Sequence, residues 1–207
     1  MEETSRRTLD HYERNAETFW EATRDHDVSQ NLDALLAAID GAPPHRILDF
    51  GCGPGRDLVA LRARGHRPVG LDGCARFVAM ARERSGCEVL RQDFASLTLP
   101  EASFDGVFAN ASLFHVPSAA LPRVLRELYA ALRPGGALVC SNPRGDDEEG
   151  FRGERWTCLF EHARWLALFE AAGFVELGHY RRPSDAPPSE QPWLVMVLRR
   201  PSPRPER

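Results

Sequence analysis

Ten residues, 47–56, constrain the fold of this chain more than any other stretch. They read Ile-Leu-Asp-Phe-Gly-Cys-Gly-Pro-Gly-Arg, an apolar run that leads into Gly51, Gly53 and Gly55 before a helical pattern begins. Glycine adopts backbone angles that side chains forbid and lets the backbone approach a ligand closely. A turn between a strand and a helix also presents N–H groups of the helix terminus to a bound molecule. The stretch therefore predicts a loop for a nucleotide-type cofactor.

Short apolar strands and helical patterns alternate after this loop. We predict helices at residues 56–64, 75–84, within 117–132 and at 162–172. We predict strands at residues 46–50, 68–72, 88–91, 104–110 and 137–141, and a final pair without an intervening helix at 174–180 and 193–199. Such alternation is typical of a parallel sheet covered on both faces. The predicted fold class is α/β: a doubly wound, mostly parallel seven-stranded sheet with an antiparallel C-terminal edge strand.

Two helical patterns, at residues 5–24 and 29–39, precede the first strand. We expect residues 1–40 to form an N-terminal helical lid over a core at residues 45–200. A chain of 207 residues is long enough to bury one packed core. We therefore predict a single domain over residues 1–200, followed by a disordered tail at 201–207.

Composition excludes several classes of protein. The net charge of −4 is unlike the basic surface that nucleic-acid binding needs, so we predict no nucleic-acid partner. All 26 basic residues are arginine, which excludes a Schiff-base or P-loop lysine. The five cysteines are scattered without a Cys-x-x-Cys pair, so we expect reduced thiols and no metal site. With neither a signal-peptide core nor a long apolar run, we expect a cytoplasmic enzyme without a membrane partner.

Polar residues stand at the predicted carboxyl ends of successive strands, where open parallel sheets bind ligands. Asp72 ends the second strand and is placed to accept hydrogen bonds from ribose hydroxyls. Asp93 and Phe94 follow the third strand, where a carboxylate fits either the exocyclic amine of a base or a turn cap. Asn110 ends the fourth strand. Arg56 occupies the last glycine position of a Gly-x-Gly-x-x-Gly motif, so the loop does not favour a nicotinamide cofactor.

Six segments, in this order, resemble the motifs of class I S-adenosylmethionine-dependent methyltransferases. They are residues 47–56 (motif I), 69–72 (Val-Gly-Leu-Asp, motif II), 92–94 (Gln-Asp-Phe, the adenine-binding segment after strand 3), 104–115 (the motif IV region), and 132–136 and 172–174 (the turns before strands 5 and 6). The resemblance covers roughly residues 45–198. It implies a Rossmann-like core and S-adenosylmethionine as the cofactor.

The resemblance also implies which residues bind this cofactor. They are Gly51, Gly53 and Gly55 at its methionine part, Asn110 near the same end, Asp49 orienting the loop or bonding the amino group, Asp72 with Gly73 at the ribose, Asp93 at the adenine amine and Phe94 near the ring.

The methyl acceptor is less constrained. The Pro-Cys nucleophile of cytosine-C5 enzymes does not occur, and no Asn-Pro-Pro-Tyr motif follows the fourth strand, so we predict a small-molecule acceptor. His115 lies just past that strand and is the candidate catalytic base, because histidine titrates near neutral pH. The alternative is a histidine that bonds backbone within the turn. Arg144 follows the fifth strand, where we expect it to pair with a carboxylate of the acceptor.

The predicted lid supplies further candidates for acceptor binding, namely Tyr12, Asn15, Phe19 and Trp20. Phe19 and Trp20 also suit ordinary core packing, and the acidic run 146–149 suits either a second lid or a solvated loop. The predicted function is methyl transfer to N, S or O of a small polar metabolite bearing a carboxylate, with an imidazole or thiol amino-acid derivative as one candidate. The alternatives are methylation of a protein or of an apolar quinone or terpenoid ring, and a catalytically silent cofactor-binding partner subunit. We expect a monomer or homodimer.

Overall fold

A seven-stranded sheet positions the candidate site. A computed structural model describes residues 3–183, 187, 190 and 192–202. The strands are β1 Arg46–Phe50, β2 Arg67–Asp72, β3 Glu88–Arg91, β4 Phe104–Asn110, β5 Leu132–Pro143, β6 Glu148–Arg152, β7 Arg155–Leu159, β8 Val175–Arg182 and β9 Trp193–Arg199. The main sheet has the order β3-β2-β1-β4-β5-β9-β8, and β6 pairs with β7 as a separate hairpin.

The strand directions confirm the predicted fold class. β1 pairs in parallel with β2 and β4, β2 with β3, and β4 with β5. β9 is antiparallel to both of its neighbours and lies between β5 and the outermost strand β8. The order of strands along the chain reverses between β1 and β4, and open α/β sheets bind their ligands at such a switch point.

Helices cover both faces of this sheet. They are α1 Glu3–Thr23, α2 Ser29–Ala38, α3 Arg56–Ala63, α4 Ala75–Ser85, α5 Leu121–Ala131, α6 His162–Ala171 and a 3-10 helix at Leu113–His115. In α5 the fully buried Leu121, Val124 and Leu128 recur at the spacing of one helical face. On the other face of the sheet, α2 buries Leu32 and Leu35 in a separate apolar cluster. None of the described helices combines the length and apolar composition that a bilayer span requires.

The hairpin of β6 and β7 corrects the prediction of a loop through residue 149. The two strands are joined by a two-residue turn whose first position, Gly153, has a φ of 63°. Glycine at that position suits the tight turns of hairpins. Phe151 and Trp156 then pack edge to face across the pair, with ring centroids 5.2 Å apart.

The predictions for the two ends of the chain are tested only in part. Pro201 and Ser202 are the last described residues, so the rest of the predicted tail, 203–207, lies outside the described residues. The same holds for the first two residues of the predicted lid. The single-domain organisation stays a prediction.

Candidate active site

The glycine loop between β1 and α3 has the backbone that its sequence predicts. Gly51, Gly53 and Gly55 have positive φ angles of 78°, 52° and 93°. The amides of Gly51 and Cys52 both donate to the carbonyl of Leu71, at 2.8 and 3.0 Å. These bonds fix the loop against the carboxyl end of β2.

The three glycines have different surroundings. A Cβ at Gly51 would overlap Ser112, whereas a Cβ at Gly53 would approach no other group closer than 3.8 Å. A Cβ at Gly55 would lie 2.8 Å from the Cα of Ala81 in α4. Gly55 lines neither cavity described below. Its missing side chain allows α3 to pack on α4, and the structure does not bring it to the predicted cofactor contact.

Helix α1 covers the loop and encloses a cavity of about 80 Å³, here called the inner cavity. The cavity is lined by Ser5, Thr8, Leu9, Tyr12, Phe19, Gly51, Gly53, Asp72, Gly73, Phe77, Asp93, Phe94, Ala95, Ala111, Ser112, His115, Val116 and Pro117. Residues that follow β1, β2, β3 and β4 thus meet under one helix. Six of the nine predicted cofactor residues are among them.

Asp72 is a buried carboxylate already held in position. Its Oδ2 accepts from the Gly53 amide at 3.0 Å, and its Oδ1 accepts from the Cys74 amide at 2.9 Å. Burial raises the pKa of Asp72 to about 6, although these amide hydrogen bonds favour the ionised form. The carboxylate can accept further hydrogen bonds, as the hydroxyls of a ribose require.

Asp93 and Phe94 form the far end of the inner cavity. The Oδ1 atom of Asp93 accepts from the Ala95 amide at 2.9 Å, so the turn-cap interpretation holds for this oxygen. Its Oδ2 atom is buried and has no hydrogen-bond partner among the described residues. A buried acceptor without a donor is costly, and an exocyclic amine would supply that donor. Phe94 stacks on Phe50 with ring centroids 4.2 Å apart, which sets its ring as one wall for a base.

Asp49 lies in the interior at the end of β1. Burial raises its pKa well above the ordinary range, and the neighbouring Asp57 carboxylate raises it further. Its Oδ2 atom has no partner within the described ranges, and the residue lines neither cavity. A direct contact with a cofactor is therefore not seen for Asp49.

A larger cavity of about 660 Å³, here called the outer cavity, lies on the other side of the loop. It is lined by Tyr12, Phe19, Trp20, Thr23, His26, Asp27, Val28, Gly51, Cys52, Gly53, Pro54, Arg56, Asp57, Asn110, Ala111, Phe114, Ser141, Arg155, Arg182, Pro183 and Trp193. Five lining residues, Tyr12, Phe19, Gly51, Gly53 and Ala111, belong to both cavities. The two cavities therefore meet at the glycine loop beneath α1.

Asn110 has an assigned orientation in the outer cavity. Its Oδ1 atom accepts from the Nδ2 atom of Asn31 at 3.0 Å, and the Tyr180 hydroxyl donates to Asn31 Oδ1 at 2.8 Å. This chain of bonds leaves the Asn110 amide nitrogen as a donor beside the loop. Its place near the methionine end of the cofactor stays a prediction.

His115 is fixed as a neutral imidazole. Its Nδ1 atom lies 2.6 Å from the carbonyl oxygen of Trp156, so Nδ1 carries the proton and donates it. Its Nε2 atom then accepts from the Tyr12 hydroxyl at 2.9 Å. Burial lowers the pKa of His115 to about 4. In this arrangement a proton from an acceptor can reach His115 only through Tyr12, so a direct base role is not seen.

Helix α1 is held closed by polar contacts on both sides. The Trp156 amide donates to Thr8 Oγ1 at 2.9 Å, and Arg14 pairs with Glu154 at 2.7 Å, which ties α1 to the β6–β7 hairpin. The Glu13 carboxylate accepts from the Ala75 amide at the start of α4. These contacts agree with the predicted lid.

Two predicted acceptor residues lie outside both cavities, and a third has its ring covered by an arginine. Asn15 marks a kink in α1, with φ −114° and ψ 17°, and its amide donates to the His11 carbonyl at 2.8 Å. Arg144 lines neither cavity, and its guanidinium bonds Glu161 at 3.1 Å. Trp20 does line the outer cavity, but the Arg84 guanidinium covers its ring at 4.0 Å. The predicted contacts of Asn15 and Arg144 with an acceptor are therefore not found.

The structure adds residues that sequence reasoning missed. Arg155 and Arg182 reach the outer cavity, and Phe114 and Trp193 form an aromatic wall there with ring centroids 6.2 Å apart. In the inner cavity, Ser112 has a buried hydroxyl without a partner in the described part of the chain. Arg155 follows a glycine-containing turn between two alternating segments, a hairpin signal that could have located it.

Comparison with known proteins matches part of the chain to methyltransferases. Residues 47–136 match the family model described as a methyltransferase domain. A trans-aconitate 2-methyltransferase of Methylobacterium nodulans is 40% identical over 123 residues, which cover 57% of this chain and 46% of that protein. A malonyl-(acyl-carrier protein) O-methyltransferase of Enterobacter lignolyticus is 32% identical over 133 residues, covering 64% and 52%. The chain spans about half the length of these curated relatives.

Solved structures agree on the fold. The 1,6-didemethyltoxoflavin-N1-methyltransferase of Burkholderia thailandensis, with bound 1,6-didemethyltoxoflavin and S-adenosylhomocysteine, superposes with a TM-score of 0.77 at 23% identity. The superposition covers 95% of this chain and 88% of that one. It shows that the chain has the fold of such methyltransferases, and within that fold residues 47–136 match a methyltransferase domain.

Proposed function

We propose that this protein is an S-adenosylmethionine-dependent methyltransferase whose acceptor is a small metabolite bearing a carboxylate. The observation that carries the proposal is the position of Arg155 and Arg182 in the wall of the outer cavity, next to the glycine loop. Arg155 bonds the Tyr12 hydroxyl at 3.4 Å and Arg182 bonds the Asp27 carbonyl at 2.7 Å. Among the described residues neither guanidinium forms a salt bridge, although Arg182 is close enough to Asp27 to help lower the pKa of that carboxyl. Guanidinium groups in that state favour an anionic ligand.

The cofactor side of the proposal has its own support. The buried Oδ2 atom of Asp93 lacks a donor, and the Asp72 carboxylate can accept from hydroxyls. Both suit an adenosine, which carries one exocyclic amine and a ribose. S-Adenosylmethionine, when bound, supplies a methyl group on a positively charged sulfur. The matched relatives named as trans-aconitate 2-methyltransferases support a carboxylate-bearing acceptor.

Residues of this chain would orient the acceptor and exclude water. The arginines would hold the carboxylate, and Phe114 with Trp193 would pack against the rest of the acceptor. Tyr12 and Phe19 on α1 lie where the cavities meet and would close the reacting centre. An acceptor that loses a proton would pass it to the Tyr12 oxygen, while the hydroxyl proton of Tyr12 moves to the lone pair of His115 Nε2.

Formation of S-adenosylhomocysteine with a panel of metabolites tests the proposal, each carboxylic acid being paired with its amide. The acids should be substrates and the amides poor ones. Arg155→Gln and Arg182→Gln should each raise KM about 10- to 100-fold, the value of a hydrogen bond to a charged group. Arg152→Gln is the matched control, because this exposed arginine of the same hairpin lines neither cavity and pairs with Glu148, at 3.2 Å.

Other outcomes favour the alternatives. Equal turnover of acids and amides, with unchanged KM in both arginine variants, would reject the carboxylate acceptor. Turnover of a quinone or a protein instead would indicate the apolar-ring or protein substrate. Calorimetric binding of S-adenosylmethionine without any product would indicate a silent cofactor-binding subunit, and failure to bind it would reject the methyltransferase itself.

A further inference from the structure

We propose a divalent-metal site, of the kind that takes Zn²⁺, at the outer edge of the main sheet. It is formed by His162 at the start of α6 and by Glu176 and His179 on β8, whose ligating atoms all lie within 4.8 Å of one another. None of the three residues lines the inner or the outer cavity. The site is therefore separate from the proposed methyl transfer.

A β-bulge in β8 brings two of the ligands to one face. Glu176 pairs with Leu198 and Gly178 with Val197, so the residue between them has no partner on β9. In a regular strand, residues three apart point to opposite faces. The extra residue of a bulge reverses that alternation, so Glu176 and His179 share the face that α6 covers.

The third ligand is set by the start of α6. His162 is the first residue of that helix, directly after the N-cap Glu161. Its Nε2 atom lies 2.7 Å from Glu176 Oε1, and the Nδ1 atom of His179 lies 2.9 Å from the same oxygen. Two imidazole nitrogens thus converge on one carboxylate oxygen from different elements.

This donor set suits a borderline transition metal. Two histidines and one carboxylate form a known three-ligand set for Zn²⁺, which takes a water as its fourth ligand. Bonds of about 2.0–2.2 Å in tetrahedral geometry place neighbouring ligand atoms about 3.4 Å apart, so the nitrogens of His162 and His179 need to move about 0.7 Å and about 0.5 Å away from Glu176 Oε1. The His179 side chain is 46% exposed, which gives an ion access and leaves room for the water. The sequence expectation of no metal site overlooks this cluster, because only the bulge makes a His-x13-Glu-x2-His spacing convergent.

Titration of the EDTA-stripped full chain with Zn²⁺ alone tests the site, together with the visible absorption of Co²⁺ in its place. We expect one equivalent to bind, a rise in Tm, and Co²⁺ bands without the thiolate charge-transfer absorption that cysteine ligands would add. Glu176→Gln and His179→Gln should weaken binding by more than the about 10–100-fold that loss of an outer-shell partner costs. Glu170→Gln, an exposed change on the same helix, is the matched control.

Three results would overturn the proposal. They are no stoichiometric binding by the folded wild-type protein, a thiolate signature in the Co²⁺ spectrum, and equal affinity in wild type and both ligand variants. Circular dichroism of each variant checks its fold, and the partly exposed His179 provides a change that leaves the core intact if Glu176→Gln does not fold. None of these results depends on methyl transfer, so the two proposals fail separately.

Discussion

Asp72→Asn should weaken cofactor binding, and its stability relative to the wild type should rise with pH. Burial raises the pKa of this carboxyl from its ordinary 3.8 to about 6 in the folded protein. A carboxyl with a raised pKa contributes stability that is complete below pH 3.8 and is lost as the pH rises through 6. At about 1.4 kcal/mol per pKa unit, ionised Asp72 costs the fold about 3 kcal/mol at pH 7 and about 1 kcal/mol at pH 4.5.

The amide removes this cost but also removes one acceptor. Either the Gly53 or the Cys74 amide then loses its oxygen partner, a penalty of about 1–3 kcal/mol that does not depend on pH. Urea unfolding of the ligand-free protein, followed by tryptophan fluorescence, measures the difference between variant and wild type. From pH 4.5 to pH 7 that difference should shift by about 2 kcal/mol in favour of Asp72→Asn.

Cofactor binding should change in the opposite direction. Loss of a charged acceptor for the ribose hydroxyls should weaken S-adenosylmethionine binding about 10- to 100-fold at pH 7. Wild-type affinity should itself fall below pH 6, while that of the variant stays low and flat. Asp33→Asn, at an exposed position on α2, is the control for loss of a carboxylate away from the glycine loop, and its cofactor affinity should match that of the wild type. A pH-independent stability difference for Asp72→Asn would refute the reasoning.

Three further predictions test the loop and the lid. Gly53→Ala should lower the free energy of unfolding by roughly 1–2 kcal/mol, because alanine is strained at this left-handed φ, and it should abolish calorimetric cofactor binding. Gly55→Ala carries the same strain and adds an overlap with α4 worth roughly 1–3 kcal/mol, so it should lower Tm further. Equal Tm values for the two variants would contradict this contrast. Because burial lowers the pKa of His115 to about 4, kcat/KM should show no inflection from this histidine between pH 5.5 and 8. Tyr12→Phe leaves His115 Nε2 without its donor, which should destabilise the protein by about 1–3 kcal/mol in thermal unfolding; an unchanged Tm would reject that hydrogen bond.

The clustering of the candidate cofactor residues was predictable because each position is defined by the strand that it ends or follows. Asp72, Asp93 and Asn110 each end or follow a strand, and parallel strands that share an edge bring such positions together. Gly55 shows the limit of this reasoning. A glycine in the motif predicts close approach of the backbone, but only the packing of α3 against α4 shows that the neighbour is Ala81.

The acceptor side depended on contacts distant in sequence. Arg144 was predicted from its place after β5, yet its guanidinium pairs with Glu161 of its own chain. Arg155 reaches the cavity because a hairpin folds back toward α1, and Arg182 because β8 lies beyond β9 in the strand order. Neither placement follows from local propensity. The bulge that brings Glu176 and His179 to one face could not be predicted from local sequence either, since it is defined only by the pairing of β8 with β9.

The size of the inner cavity makes α1 part of the cofactor's binding step. About 80 Å³ is far below the roughly 300 Å³ at which ligand pockets begin, so a nucleoside needs either space from the adjoining outer cavity or a movement of α1. The kink at Asn15 separates the segment tied to the β6–β7 hairpin from the rest of the helix, and both segments contact α4. Because Tyr12 in that segment also bonds Arg155, outward movement of α1 would change the wall of the outer cavity as well. We therefore expect the cofactor to bind first, with the acceptor site completed when α1 closes over it.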